Sequence, residues 1–507
     1  MRLHLLLACL ALPFLTPHAP ASSATHESAP PVLVTDDDAD DEVLDEIVDG
    51  SGKIGIDGVA VPYDFEAGRL VLRDEDGTPR AHMFHVAYTR SDVSEPTERP
   101  VMFCFNGGPG SSSVWLHLGL YGPRRVDLGE EGFDLSQPYD LVDNAHSVLD
   151  VADLVFIDPV TTGYSRAADG VDDSDFHGQQ QDVESVGQFI HLWLTRNGRW
   201  ASPVYISGES YGTTRAAALA LHLQDRYGVY PRGLVLVSAI LNFQTARFDV
   251  GNDLPYVLFL PTYAATAWFH GKLDAELSAN PEATLAEVEE FALGDYATAL
   301  MHGDRLSDEN RAEVAARLAR YTGLDQEYIE STNLRIHIGR FCKELRRDER
   351  ITVGRLDSRY TGVDRDAAGE RYEFDPSMAA IDGPYSTLLN HYVRNELGFE
   401  SDLPYEILTG RVHPWDYSNV ENQYLNVAED LRRAMTSNPN LRVHVANGYY
   451  DLATPYFATH YTFDHMFLEP ADRERITMGH FQSGHMMYVQ RQSLFDLRTQ
   501  LLGFLKP

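Results

Sequence analysis

The chain has 507 residues, with 41 Lys and Arg against 76 Asp and Glu, so its formal net charge is −35 and its pI is near 4.8. A hydrophobic fraction of 43% supplies enough apolar side chains for a large core and excludes general disorder. A surface this acidic repels phosphate backbones and anionic lipid head groups, and no Lys/Arg cluster offsets it. Nucleic-acid binding and electrostatic membrane binding are therefore not expected.

Residues 1–21 have the composition of a secretory signal peptide. Arg2 is the single charge, an apolar stretch follows from residue 3 to residue 15, and the small residues Ala19 and Ala21 mark a cleavage position. We therefore expect an exported protein, periplasmic or secreted. No later stretch reaches 18 apolar residues, so no membrane span is predicted. The absence of Asn-x-Ser/Thr agrees with export in a bacterium.

The next segments predict a flexible lead-in and then an antiparallel meander. Residues 22–57 are rich in Ser, Ala, Pro and acidic residues, which is typical of a solvated, flexible segment. Between residues 58 and 89, apolar alternating runs are interrupted by the turn sequence Asp-Glu-Asp-Gly at 74–77. This alternation predicts antiparallel strands at the start of the folded part.

The pattern then changes to short runs rich in Val, Ile, Phe and Leu, separated by segments of helical composition. The runs lie at residues 101–105, 154–157, 203–207, 233–237 and 442–446. They predict a mostly parallel sheet covered by helices on both faces, an α/β architecture. Helical periodicity dominates residues 241–405, which we interpret as a helical cap insertion between two parts of one core, 58–240 and 406–507. Residues 485–505 are predicted to form an amphipathic helix.

The cysteine content does not indicate a disulfide scaffold. Once Cys9 is removed with the signal peptide, Cys104 and Cys342 remain. Cys104 lies inside an apolar run and is interpreted as a small buried hydrophobic residue, not as a nucleophile. Whether the two cysteines pair stays open at this point.

The strongest local signal is the pentapeptide Gly-Glu-Ser-Tyr-Gly at residues 208–212. It follows a predicted strand and precedes the Ala-rich segment 214–224, which is the order strand, G-x-S-x-G, helix. In this arrangement the serine takes a strained conformation on a sharp turn, and the glycines avoid clashes with strand and helix. The context predicts that Ser210 is a catalytic nucleophile.

A serine hydroxyl is a weak nucleophile without a general base, so the hypothesis requires an acid and a histidine later in the chain. Asp451 lies on the loop after the last predicted strand and is the candidate orienting acid. His480 and His485 are both candidates for the base, and the flexible Gly484 favours His485. The alternative is a metal pair of these histidines, but no nearby Cys or carboxylate completes a site, so no metal or cofactor is predicted.

Acyl transfer also requires N–H donors for the tetrahedral oxyanion. The N–H group of Tyr211, directly after the nucleophile, is the first candidate. The loop Asn-Gly-Gly-Pro-Gly-Ser-Ser-Ser at residues 106–113 follows a predicted strand, at the position where the second donor belongs in such folds. No Lys follows this loop in the phosphate-binding arrangement, so a phosphate cradle is not favoured.

Four motifs together resemble the serine carboxypeptidase family. They are the loop at 106–113, Val-Phe-Ile-Asp-Pro at 155–159 with Gly-Tyr-Ser at 163–165, the pentapeptide at 208–212 and Gly-His-Met at 484–486. The resemblance implies an α/β-hydrolase fold and removal of single residues from peptide C-termini, without metal or cofactor. It identifies Ser210, Asp451 and His485 as the triad and the N–H groups of Gly108 and Tyr211 as the oxyanion hole.

The resemblance also implies how a substrate's terminal carboxylate is bound, namely by Asn106, Gly107 and Glu209. Asn106 and the N–H group of Gly107 donate hydrogen bonds to a carboxylate, whereas an ionised Glu209 repels it. Glu209 must therefore be protonated to bind the substrate, which couples binding to acidic pH. A structural hydrogen-bonding role for Glu209 at the turn is the alternative.

The chain departs from the family's pattern at three positions. The family usually has a second Glu fourteen residues after the Asn of the loop, and this position is Leu120. The family's paired-acid mechanism, and with it an acidic optimum, therefore lacks its second carboxyl group. Ser111 replaces the Cys of the family's usual disulfide. Tyr488 stands where the family commonly has Pro, on the side of the site that holds the leaving residue.

These observations favour a serine carboxypeptidase, monomeric or homodimeric, that acts on peptides with a free C-terminus. An esterase or acyltransferase on the same scaffold is the alternative, because an acyl-enzyme can pass its acyl group to any nucleophile. A binding protein on an inactive hydrolase fold is not favoured, because all three triad candidates are present.

Overall fold

The computed structural model describes residues 44–506. The predicted signal peptide and most of the predicted lead-in lie outside these residues. The strands, in chain order, are β1 Glu46–Ile56, β2 Val59–Arg73, β3 Pro79–Arg90, β4 Val101–Phe105, β5 Arg124–Asp127, β6 Asp140–Asp143, β7 Asp153–Ile157, β8 Arg166–Ala167, β9 Val204–Glu209, β10 Gly233–Val237, β11 Thr352–Val353, β12 Thr361–Gly362, β13 Arg442–Gly448 and β14 Ile476–Phe481.

The helices alternate with these strands and are concentrated between β10 and β13. They are α1 Gln179–Arg196, α2 Tyr211–His222, α3 Leu254–Phe269, α4 Ala275–Ser278, α5 Pro281–Phe291, α6 Ala297–His302, α7 Asp308–Thr322, α8 Gln326–Ser331, α9 Ile338–Glu344, α10 Pro376–Asn395, α11 Ala428–Ser437, α12 Tyr456–Asp464, α13 Pro470–Arg473 and α14 Arg491–Leu505. Across residues 44–506, no helix is both long and apolar enough to cross a membrane.

Ten strands form one sheet in the order β1-β2-β3-β7-β4-β9-β10-β13-β14, with β8 paired to β3. Strands β1, β2, β3 and β7 pair antiparallel, and every pair from β7 to β14 is parallel. The five predicted runs coincide with β4, β7, β9, β10 and β13. The predicted mostly parallel α/β fold is therefore confirmed.

The central strands are apolar throughout because both faces of the sheet are covered. On β4, Met102 and Cys104 belong to the apolar cluster that includes α14, while Val101, Phe103 and Phe105 belong to the cluster that includes α1 and α2. Each residue of this strand is fully buried. This two-sided burial explains why periodicity of two is absent from the sequence here.

Helices α3 to α10 fall within the segment predicted as a helical insertion; α3 to α9 contribute to a third apolar cluster, whereas α10 belongs to the cluster that includes α14. The third cluster includes Leu258 of α3, Phe291 of α5 and Leu318 of α7. It also includes Tyr456 and Phe457 of α12, which lies between β13 and β14. The insertion therefore packs on the second part of the sheet region and not only on itself.

The prediction of a flexible lead-in up to residue 57 is wrong for its last part, because Glu46–Ile56 is β1. All eleven of its residues are in register with β2, and Ile54 and Ile56 are buried in the core. The glycines and polar residues between residues 49 and 53 conceal the alternation that an edge strand normally has. Backbone pairing along a long neighbouring strand stabilises this segment despite its composition.

The predicted start of the last helix at residue 485 is also wrong, because α14 begins at Arg491. Residues 485–490 form a loop with a single short turn at Met487–Val489. The side chain of Gln490 accepts a hydrogen bond from the N–H group of Ser493 and caps the helix there. The predicted helix therefore loses its first six residues to the loop that carries His485.

Cys104 and Cys342 do not pair with each other. Both are free and buried, in two different apolar clusters. Burial raises the pKa of both thiols well above the usual range. Both cysteines therefore act as packing residues, as proposed for Cys104.

Candidate active site

Ser210 stands on a sharp turn between β9 and α2. Its backbone has φ 60° and ψ −129°, a conformation that a residue with a side chain rarely adopts. The turn is tight, because a Cβ atom on Gly208 would lie 2.1 Å from the carbonyl oxygen of Gly212. The N–H group of Ser210 donates to the carbonyl oxygen of Val237 (3.0 Å), which ties the turn to β10. The strained turn predicted by the pentapeptide is present.

Asp451 and His485 are brought together by loops that follow β13 and β14. The Nδ1 atom of His485 lies 2.7 Å from Oδ2 of Asp451. Oδ1 of Asp451 accepts the N–H groups of Ala453 (2.7 Å) and Thr454 (3.0 Å), and the Thr454 hydroxyl donates to Oδ2 (2.7 Å). This fully buried carboxylate holds the His485 ring with Nδ1–H as donor, which leaves Nε2 as the basic nitrogen.

The electrostatic surroundings favour the imidazolium form of His485. Burial by itself lowers the pKa of this histidine, but the charge of Asp451 and its hydrogen bond more than offset that effect, and the pKa is raised above its usual value. A histidine with a raised pKa is suited to accept a proton from a nucleophile, the role predicted for His485.

His480, the other candidate base, lies on β14 and faces a different part of the molecule. Its Nε2 atom lies 2.8 Å from Nε2 of His460, and its ring stacks on Tyr449 with centroids 5.6 Å apart. Within the described part of the chain, no three His, Cys, Asp or Glu residues are grouped to hold a metal ion. The geometry therefore brings His485, and not His480, to Asp451.

The two predicted oxyanion donors lie on adjacent segments. The N–H groups of Gly108 and Tyr211 donate to no acceptor among residues 44–506, so both are free for a ligand. The glycine loop is attached to α2 by Arg215, whose guanidinium donates to the carbonyl oxygen of Asn106 (2.6 Å). Arg215 is itself buried and paired with Asp182 (2.7 Å), and neither residue was identified from the sequence.

The three predicted carboxylate-binding residues also lie beside Ser210. The side-chain oxygen of Asn106 accepts the N–H group of Leu116 (3.1 Å), while its buried NH₂ group has no partner in the described residues. Glu209 is 3% exposed, and the hydroxyl of Tyr488 donates to its Oε2 atom (2.6 Å). Burial raises the pKa of Glu209 to about 7, against the opposing effects of a positive His485 and of the Tyr488 hydrogen bond.

A cavity of about 510 Å³ joins these groups and is closed on one side by the insertion. Asn106, Glu209, Ser210 and His485 line it, together with Arg355 of the insertion. The Arg355 side chain is exposed and forms no ion pair with any acidic side chain of residues 44–506. No motif surrounds Arg355 in the sequence, so no sequence signal could have identified it.

A serine carboxypeptidase profile matches residues 66–499, which is most of the chain. The chain belongs to the serine carboxypeptidase family. Among curated members, it is 29% identical over 201 residues to serine carboxypeptidase-like 8 of Arabidopsis thaliana, and 30% identical over 198 residues to serine carboxypeptidase-like 14 of the same plant. Each match covers 39% of this chain, and they span 42% and 41% of those two proteins.

The fold agrees with a solved member of the carboxypeptidases. The crystal structure of Kex1(delta)p, a prohormone-processing carboxypeptidase from Saccharomyces cerevisiae, superposes with a TM-score of 0.55 at 16% identity. The superposition covers 87% of this chain and 91% of that one. At this level of identity the likeness establishes the shared α/β-hydrolase fold.

In this family member, residues 355–360 of the insertion contact both the loop that carries Asp451 and the loop that carries His485; we call them the clamp segment. The carbonyl oxygen of Leu356 accepts the N–H group of His485 (2.7 Å). The carbonyl oxygen of Arg355 accepts the N–H group of Leu452 (3.0 Å), next to Asp451. The insertion therefore supports the positions of His485 and Asp451 through backbone hydrogen bonds.

A buried ion pair completes the clamp segment. The Arg359 guanidinium binds both oxygens of Asp357, at 2.6 to 3.1 Å, and also donates to the hydroxyl of Ser483 (2.8 Å). Oδ2 of Asp357 accepts the N–H group of Gly484 (3.0 Å), directly before His485. The two side chains are 2% and 7% exposed. The pair thus fixes the loop that carries His485, a contact that the sequence did not indicate.

Proposed function

We propose that this protein is a serine carboxypeptidase that removes single residues from peptide C-termini through an acyl-enzyme on Ser210. The Ser210 hydroxyl attacks the last peptide carbonyl while Nε2 of His485 takes its proton, and Asp451 keeps the ring in the required tautomer. The oxyanion accepts the N–H groups of Gly108 and Tyr211. His485 then gives the proton to the leaving amine.

Deacylation uses the same groups in the reverse sense. A water molecule enters where the amino acid has left, and His485 takes one of its protons while the oxygen attacks the ester carbonyl. The second tetrahedral species collapses, the proton returns to Ser210, and the shortened peptide leaves with a new carboxylate. The raised pKa of His485 suits both directions of proton transfer.

One observation carries the exopeptidase assignment, namely the carboxylate-binding set next to the nucleophile. The buried NH₂ group of Asn106 has no protein partner in the described residues, and the carboxyl group of Glu209 lies in the same cavity as Ser210. A buried donor without a partner is costly, and a substrate carboxylate would satisfy it. Gly107 supplies a further N–H group from the same loop.

We also infer that the chain is exported, to the periplasm or the exterior. The signal-peptide composition of residues 1–21 supports this inference. Peptides with a free C-terminus are the proposed partners, for a monomer or a homodimer.

The test compares three substrates that differ only at the C-terminus. A blocked dipeptide with a free carboxylate, its C-terminally amidated twin and the methyl ester of the blocked first residue are incubated with the mature protein at pH 6. We expect Ser210-dependent cleavage of the free acid at least about tenfold faster than that of the amide. Ser210→Ala should be inactive, and Ser331→Ala, at an exposed serine of α8, should match the wild type.

The esterase or acyltransferase alternative predicts a different result. If only the methyl ester turns over, the triad is functional but the exopeptidase assignment falls. Equal rates for the acid and the amide would contradict carboxylate recognition by Asn106 and Glu209.

A further inference from the structure

Glu209 has a buried tyrosine, Tyr488, as its hydrogen-bond partner. The inference drawn from this contact rests on the proposed function. The phenol of Tyr488 donates to Oε2 of Glu209 at 2.6 Å, and both side chains are buried. Within residues 44–506 the phenol contacts no other acceptor, and no Lys or Arg forms an ion pair with Glu209. Tyr488 is therefore the side-chain donor to Oε2, and the Asn106 amide, which lies near the same carboxyl group, also lowers its pKa.

The fold forms this contact by close packing. Tyr488 lies in the turn Met487–Val489, against the helical segment Leu116–Tyr121. A Cβ atom on Gly119 of that segment would lie 2.4 Å from Cε2 of the Tyr488 ring. Only glycine leaves room for the ring at this distance, and the next residue, Leu120, is buried and apolar. That segment therefore provides space for a phenol and no second carboxyl group.

We propose that Tyr488 is a positioning residue that fixes the proton of neutral Glu209 on Oε1, the oxygen that binds the substrate's terminal carboxylate. Oε2 accepts the phenol O–H, so the acid proton of Glu209 resides on the other oxygen. Oε1–H then donates to one carboxylate oxygen of the substrate, and the NH₂ group of Asn106 donates to the other.

The charged and titratable groups around Glu209 determine how this pair responds to pH. They come from each element packed against it: His485 and Asp451 of the triad loops, Tyr488 itself, Tyr121 and Tyr385. The three phenols have pKa values raised by burial, so they remain neutral donors throughout the working range. The Tyr488 hydrogen bond lowers the pKa of Glu209, so its loss would raise that pKa further.

Two effects of opposite direction follow for Tyr488→Phe. At pH 5.5 Glu209 is neutral in both proteins, but its proton is no longer restricted to Oε1. We expect KM for the free-acid dipeptide to rise about tenfold, with kcat within about twofold. At the same time the alkaline limb of kcat/KM should move to higher pH, because neutral Glu209 persists further. If the substitution only loosened the structure, KM would rise but the alkaline limb of kcat/KM would not move.

The experiment measures pH profiles for the free acid and for the methyl ester, which lacks the carboxylate. For Tyr488→Phe, the ester's kcat and KM should stay within about twofold of wild type. Tyr296→Phe is the matched control, since it also loses a buried phenol that donates a hydrogen bond, to Leu334 at 2.7 Å in the insertion, far from Glu209 in the chain. In Tyr296→Phe, kcat and KM for both substrates should be unchanged.

Two further variants test the contact between Tyr488 and Glu209. Gly119→Ala displaces the Tyr488 ring from outside the site and should reproduce the Tyr488→Phe profile. In a Glu209→Gln background, where no proton has to be placed, Tyr488→Phe should cause no additional rise in KM.

The outcomes separate this inference from the function on which it rests. A wild type that ignores the free acid overturns the proposed function and this inference with it. A wild type that cleaves the free acid, combined with a Tyr488→Phe variant whose alkaline limb does not move, overturns the inference alone. An equal rise in KM for the ester and the acid also overturns it.

Discussion

Removal of the Arg359 guanidinium should be among the most destabilising single changes in the insertion. Arg359→Ala leaves the Asp357 carboxylate buried without a counter-charge, and breaking a buried pair typically costs about 3–5 kcal/mol. Asp357 keeps two backbone donors, the N–H groups of Arg359 and Gly484, which both lie at 3.0 Å. The expected loss in the free energy of unfolding is therefore at the lower end, about 3 kcal/mol. This corresponds to a change of more than about 100-fold in the unfolding equilibrium.

Urea unfolding followed by tryptophan fluorescence measures this loss. Arg365→Ala is the matched control, because Arg365 pairs with Asp366 and Glu373 at the surface with its side chain 80% exposed, and we expect a change of about 0–1 kcal/mol. Removing both charges, by Asp357→Asn with Arg359→Met, should recover most of the loss. If Arg359→Ala is within about 1 kcal/mol of the Arg365→Ala control, the clamp segment does not hold the loop as argued.

Three further predictions concern the site itself. Burial raises the pKa of Glu209 to about 7, so KM for free-acid substrates should rise about tenfold for each pH unit above 7, while KM for the ester stays constant. Initial rates from pH 5 to 9 measure both KM values, and a KM for the free acid that does not change with pH would refute carboxylate binding through neutral Glu209. The raised pKa of His485 predicts that the rate of ester hydrolysis falls as the pH decreases. Asp451→Asn should lower kcat by about 10³-fold or more and shift this acid limb of the pH–rate profile to lower pH. An acid limb that does not shift would count against Asp451 as the orienting acid. Arg355→Gln should reduce kcat/KM about twofold to fivefold for peptides with an acidic residue beside the scissile bond, and neutral peptides are the control. An equal loss of kcat/KM for acidic and neutral peptides would show that Arg355 does not determine specificity.

The sequence predicted those parts of the molecule whose conformation depends on residues close together in the chain. Parallel strands buried on both faces appear as continuous apolar runs, so β4 and β10 could be predicted to the residue. The Ser210 turn requires glycines at fixed spacing, and a motif of five residues in the sequence indicates this requirement. Both signals come from steric restrictions on neighbouring residues.

The parts that the sequence did not predict depend on contacts distant in the chain. Strand β1 is stabilised by pairing with β2, which its glycine-rich and acidic composition does not indicate. The contact between Tyr488 and Glu209 joins residues 279 positions apart, and the sequence marked Tyr488 only as a departure from a family pattern. Arg355 and the clamp segment lie in the helical insertion, where no motif restricts the search. In these cases tertiary packing, and not local preference, selects the residues.

The attachment of the clamp segment to both triad loops has a consequence for the order of events during folding. The Ser210 turn depends on β9, α2 and β10, which all precede the insertion in the chain. The hydrogen bonds from the N–H groups of Leu452, Gly484 and His485 to the clamp segment form only when the insertion has docked. The arrangement of Asp451 and His485 should therefore be completed late in folding, after the insertion has docked.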